Sequence, residues 1–182
     1  MVGTLTVQNL QGPTSGANAN KVIIPSGQTI DASAGTLVPS AGAVVQVIQE
    51  YNPYASHITT TSGSLVASNI TASITPKYSN SLIIVEYSCT MGISATASNM
   101  RAQMYTSVGS GARAAMSGSA SFHITYMEDE SKYIPIIFKG NYTATSTNTL
   151  TFEPYFMGSG DGQVYFTHQS SSYSLTLTEI KQ

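Results

Sequence analysis

His57, His123, His168 and Cys89 have the widest chemical range of the side chains in this sequence. The carboxylates of Glu86, Glu153, Asp161 and the run Glu128-Asp129-Glu130 join them as candidate acids, bases or metal ligands. Zinc takes ligands at short fixed spacings, such as H-E-x-x-H or paired cysteines. The three histidines stand far apart and no cysteine lies at such a spacing, so no zinc site is expected. A nucleophilic cysteine needs a basic neighbour to lower its pKa. Cys89 instead closes the apolar run LIIVEYSC and reads as a small buried hydrophobe; as the only cysteine it has no partner within the chain. Glycoside cleavage requires two carboxylates across the scissile bond. Glu86, Glu153 and Asp161 are available, yet nothing in their spacing pairs them. The acidic triplet offers oxygen ligands for calcium, but its spacing departs from a calcium loop and Lys132 balances it, so a solvated turn is expected. Gly158-Ser159-Gly160-Asp161-Gly162 lacks the Lys-Ser or Lys-Thr of a phosphate cradle and reads as a hairpin. No G-x-S-x-G elbow occurs. The expectation is a non-enzymatic protein without cofactor or metal.

Binding chemistry remains. His123 alternates outward from Phe122 and Ile124, and His168 follows the apolar face of Val164 and Phe166, as a core or interface histidine would. With 11 tyrosines and no tryptophan, tyrosine is the main amphipathic side chain. Tyr54, in the loop NPYAS, is the best-exposed candidate for a ligand contact. Asn99, Asn148 and Gln169 lie in or beside other Ser/Thr-rich loops and complete the candidate set.

The elements that must position these residues are strands. Charged residues are only 9% of the 182-residue chain, against roughly 25% in ordinary soluble domains. Ser and Thr, about a quarter of the chain, carry its polarity and favour strands and turns. A net charge of −2 supplies no basic footprint for nucleic acid. No stretch approaches the roughly 18 apolar residues of a membrane span. Met1–Gly12 lacks the charged and apolar regions of a signal peptide, so release by lysis rather than by ordinary secretion is expected.

Residues 1–42 read as an extended stem. Leu5 and Val7, the piece KVIIP, and isolated Ile30, Leu37 and Val38 are spaced by Gly, Pro and Ser turns. Such a segment buries too little apolar area alone to offset its ordering entropy. Regular apolar spots between turns suggest three copies wrapped round one another. From residue 43 to residue 182 the pattern is period-two alternation. Ile70, Ala72 and Ile74; Met100, Ala102 and Met104; Phe122, Ile124 and Tyr126; Ile134, Ile136 and Phe138; and Tyr173, Leu175 and Leu177 each mark one strand face. Leu82–Cys89 is apolar enough for a central strand. An all-β antiparallel sandwich or barrel follows. If every strand reverses direction, the Ser/Thr-rich loops, including Asn52–Ser56, Gly92–Ser98, Thr145–Asn148 and Gln169–Ser172, share one end. The charged loops then share the other with the C-terminus and the point where the stem enters. Val38–Tyr51 is the joint between the parts. Val44, Val45, Val47 and Ile48 leave neither face of their strand polar, which suits contact with the chain's own sheet on one side and with other copies on the other.

KVIIPSGQTIDASAG followed by AGAVVQVIQ resembles the stem unit and first head strand of tail fibres and related appendages of tailed bacteriophages, cyanophages among them. ITASITPKYSNSLIIVEYS and YSLTLTEIKQ are similar to the inner and closing strands of their heads. The resemblance implies a homotrimer with a thin intertwined stem and a jelly-roll-like β-sandwich head, located on the virion. It implies a short tail fibre or fibre tip that meets other virion proteins through the stem and a host surface glycan or protein through the head. A decoration protein of capsid or tail is the alternative, and a polysaccharide-degrading tailspike a remote one. No nucleic acid or inserted membrane is expected among its partners.

Overall fold

The computed structural model describes residues 11–19, 21–29, 38–53, 55–93, 99–117, 122–124, 133–159, 162–167 and 171–182. The chain divides into two units, Met1–Val38 and Pro39–Gln182. In the first, the described residues form turns and extended chain. Ala19 N–H donates to the Gly16 carbonyl and Gln28 N–H to that of Pro25. Val22, Ile23 and Ile24 are all exposed.

The second unit opens at Pro39, ahead of the composition shift at residue 43. Ala43 N–H donates to the Ser40 carbonyl, closing a turn whose third residue, Gly42, has φ of 84°. Glycine alone reaches that conformation without a Cβ penalty. Gly42 N–H then donates to the Lys181 carbonyl (2.7 Å), and Lys181 N–H to that of Ala43 (3.0 Å). The chain is thus tied to the C-terminal strand before β1 (Val44–Asn52) begins.

All pairings among the described residues are antiparallel, and no helix occurs among them. In the first sheet, β5 (Leu82–Ile93) is central. Along one side it pairs β9 (Tyr133–Thr143) over its length. Along the other it pairs β12 (Tyr173–Ile180) and, further on, β11 (Val164–Thr167). Outside these lie β1 on β12 and β2 (Ile58–Thr60) on β11. In the second sheet, β10 (Leu150–Ser159) pairs β6 (Asn99–Val108) on one side. On its other side it meets β3 (Val66–Ala67) and β4 (Ala72–Ile74). The far edge of β6 carries β7 (Ala114–Ala115) and β8 (Phe122–Ile124).

One core lies between the sheets. Ile83, Val85, Tyr87, Met91, Leu175, Leu177, Ile136 and Phe138 face it from the first sheet. Met100, Ala102, Met104, Leu150, Phe152, Phe156, Ala72 and Ile74 face it from the second. Each set is one parity of its strand, so alternation in sequence becomes the two inner faces of a sandwich. Phe166 stacks on Tyr87 (centroids 5.2 Å apart) and on Phe156 (4.7 Å), joining the sheets. Each buried side chain of this size contributes about 1.5–3 kcal/mol. Cys89 is buried here, its thiol donating to the Phe166 carbonyl. Burial pushes its pKa up to about 12, against a smaller opposing hydrogen bond to Tyr87, so the thiol is an inert core group.

Candidate interaction surfaces

The residues of opposite parity form the outer face of the first sheet. The register aligns Val47, Thr178, Ile84 and Asn141 in one row. The next holds Gln49, Thr176, Glu86 and Lys139, and the third Tyr51, Ser174, Ser88 and Ile137. Gln49 donates to the hydroxyls of Ser174 (2.8 Å) and Thr176 (3.3 Å), and Lys139 pairs with Glu86. Around this polar middle the apolar side chains stand in water: Val44, Val47 and Tyr51 on β1, Ile137 and Tyr133 on β9. Ile137 is 60% and Val47 56% exposed. Tyr165 lies between Tyr133 (6.0 Å) and His57 (5.0 Å), extending the aromatic margin of the same face. Several large apolar side chains exposed on one face are a feature of interaction surfaces.

Of the four residues expected at an interface between copies, Val44 and Val47 lie on this outer face. Val45 is the extra residue of a β-bulge, since Val44 pairs Ile180 while Gln46 pairs Glu179. A bulge adds one residue to one strand only and so resets which residues face outward. Ile48 consequently has the parity of Leu177 and points to the opposite side of β1, where it is 37% exposed.

A buried carboxylate fixes the end of the sandwich where β1 begins. Glu179 has no exposed surface and follows Leu175 and Leu177 on the core-facing parity of β12. Its Oε1 accepts from the N–H of Lys77 (2.9 Å), the N–H of Tyr78 (3.3 Å) and the Ser81 hydroxyl (2.7 Å). Its Oε2 accepts from the Gln46 amide at 2.6 Å, and that amide also donates to the Thr75 carbonyl. Burial alone would raise the carboxyl pKa. The hydrogen bonds from Ser81, Gln46, Lys77 and Tyr78 outweigh it and hold the pKa below its ordinary value. Lys181 finishes the arrangement, donating to the Pro39 carbonyl (2.7 Å) and lying over the Tyr78 ring.

Part of the outer face of the second sheet is covered by its own chain. Glu153, also without exposed surface, accepts from Asn69 N–H (2.7 Å) and pairs with Arg113 from the segment before β7. Asn69 reaches it in a left-handed conformation, φ 60°. Beside the pair, Tyr105 and Tyr155 stack with centroids 4.0 Å apart, and Arg101 donates to Gln103.

The expected ligand contacts are not one cluster. Tyr54 and Gln169 lie outside the described residues, as do His168, the Glu128–Glu130 run and Asp161; of Asn99 the backbone opens β6. Asn148 is exposed in the turn between β9 and β10. The pairing puts that turn at the end with Pro76–Ser81, Gly109 and the C-terminus, opposite Asn52 and Asn99, which corrects the expected sharing of loops. The physical reason is that β7 and β8 both run antiparallel to β6, and β11 and β12 both antiparallel to β5. The chain between each pair interrupts one strand direction without reversing it. The two interruptions cancel, so the C-terminus still returns beside the start of β1.

Sequence reasoning overlooked Glu179, although its parity with Leu175 and Leu177 placed a carboxylate on the core face of the last strand. Glu153 and Arg113 carried no such signal, because their contact depends on how the segment between β6 and β7 lies over the sheet. Among the described residues no three His, Cys, Asp or Glu side chains converge as a metal set, and no helix is long and apolar enough to cross a membrane. No family model matches the chain, and no curated protein matches it.

Proposed function

We propose that the protein is a non-enzymatic structural appendage of a virion, a short tail fibre or fibre tip. Three copies associate through the outer face of the first sheet, and the head contacts the host surface. The observation carrying this reading is that face: Val44, Val47, Tyr51, Tyr133 and Ile137 stand exposed around a polar middle whose two charges, Glu86 and Lys139, pair with each other. Covering them removes apolar area from water at about 25 cal/mol per Å². The exposed Val22, Ile23 and Ile24 of the N-terminal unit support a stem completed by other copies. Successive strands cross between the sheets, from β4 to β5 to β6 and from β8 to β9 to β10, which supports a jelly-roll arrangement of the head. Among the described residues both fully buried carboxylates hold backbone, Glu179 at Lys77 and Tyr78 and Glu153 at Asn69. A structural role for both agrees with binding rather than hydrolysis.

Trimeric display raises avidity: three linked weak sites gain roughly 10²–10⁴-fold over one. The test is deletion of the coding gene followed by an adsorption assay. Particles lacking the protein should lose adsorption while retaining their heads. Normal adsorption with altered particle morphology would overturn host contact in favour of decoration.

A further inference from the structure

A cleft opens along the side of the sandwich where the end of β9 meets the segment around β7. Two adjoining depressions, of about 300 Å³ and about 420 Å³, share Ser117 and Tyr142 in their walls. Both fall within the roughly 300–1,000 Å³ of small-ligand sites. Among the described residues, none lining either one is charged. The larger is lined by the polar, uncharged residues Ser117, Asn141, Thr143 and Thr145 beside Tyr142. The smaller includes Gly111 and three alanines in its wall, and Thr106 stands in its lining with a buried hydroxyl that has no hydrogen-bond partner. Thr106 as a whole is only 8% exposed. Tyr142 is held edge-on by Phe152, with ring centroids 6.0 Å apart and planes at 79°, which fixes the ring at the junction of the two depressions.

We infer that this cleft binds a neutral saccharide. The uncharged polar groups of these lining residues match the dense, uncharged donors and acceptors of a sugar. A fixed aromatic ring offers a surface for the apolar C–H face of a pyranose, and the Gly/Ala wall leaves room for it. An anionic glycan or nucleic acid would meet no cation among the described residues of the walls. The source of the sugar, a glycan on a cell surface, rests on the host-contact reading above; the chemistry of the cleft does not.

The test uses the full-length protein as purified, titrated with maltohexaose, chitotriose and a β-galactan hexasaccharide. Oligogalacturonate forms the charged arm, and binding is followed by saturation-transfer NMR and calorimetry. At least one neutral oligosaccharide should bind. Tyr142→Ala and the cleft-filling Ser117→Tyr should each raise Kd at least tenfold, and Thr106→Val about threefold, with far-ultraviolet circular dichroism unchanged. Silence of the neutral arm, preference for oligogalacturonate, or unchanged Kd in folded Ser117→Tyr protein would overturn the assignment. Cell binding by the same proteins separates the two readings. Ser117→Tyr protein that binds host cells like wild type sinks the cleft and leaves host contact standing. Wild-type protein that binds the oligosaccharide but no cells sustains the cleft and sinks host contact.

Discussion

The two outer faces of the sandwich solve the same problem in opposite ways. On the second sheet, Arg113 lies over Glu153, Asn69 N–H meets the same carboxylate, and Tyr105 packs on Tyr155. The chain covers part of that face itself. On the first sheet, Gln49, Ser174 and Thr176 satisfy one another, Lys139 pairs with Glu86, and the apolar residues around them stay in water. A face whose buried charges are met internally has little to gain from a partner. A face that leaves Val, Ile and Tyr exposed gains free energy with every Å² that a second copy covers. The contrast between the two faces is what the proposed assembly through the first sheet rests on.

The largest loss should follow from breaking Glu179, because it holds Gln46 and with it the strand that presents Val47 and Tyr51. Glu179→Leu leaves the buried Ser81 hydroxyl and the part-buried Lys77 and Tyr78 N–H groups without their acceptor, at up to about 1–3 kcal/mol each. Urea denaturation should therefore show a loss on the order of 3–5 kcal/mol. The same residue sets an acid limb. Its folded pKa is depressed, so its stabilisation is complete above the unfolded value of about 4.3 and is lost as pH falls through the lower folded value. Glu179→Gln should flatten that limb, and an unaltered acid transition in the variant would contradict the assignment.

A smaller loss is expected on the second face. Arg113→Met strips the counter-charge from a fully buried carboxylate, an event that costs about 3–5 kcal/mol when both partners are buried. The Arg113 side chain is 32% exposed, so the lower end of that range is expected, with the oligomer mass of the folded protein unchanged. A shift in mass would break the contrast between the faces.

The smallest effect belongs to Lys139 and Glu86. Both are substantially exposed, and such pairs contribute about 0–1 kcal/mol. Lys139→Met should leave monomer stability within that range. A lower salt sensitivity of assembly in the same variant would sharpen the case that the pair faces another copy.

Much of the sandwich was legible because alternation is a one-body property of each strand. Ile70 with Ile74, Met100 with Met104, Ile136 with Phe138, and Leu175 with Leu177 all read as core faces, and all are buried. Strand direction was less legible, because it depends on pairing. Nothing in the sequence shows that β7 and β8 run the same way along β6, and counting a reversal between them moved Asn148 to the wrong end. The bulge at Val45 has the same character: VVQVIQ looks uniform, and only the register against Ile180 and Glu179 reveals the extra residue. Ile137 was hidden by its neighbours, since Ile136 and Phe138 define the inner face and draw attention from the apolar residue between them.

The central claim, that the outer face of the first sheet joins three copies, is tested most directly by light-scattering mass at micromolar concentration for wild type and Val47→Asp. Val47 is exposed in the single chain, so an aspartate there leaves the protomer folded. The predicted result is three times the 19.2 kDa chain mass for wild type and one times that mass for Val47→Asp, with matching circular dichroism. A wild-type monomer, or a Val47→Asp trimer, would contradict it.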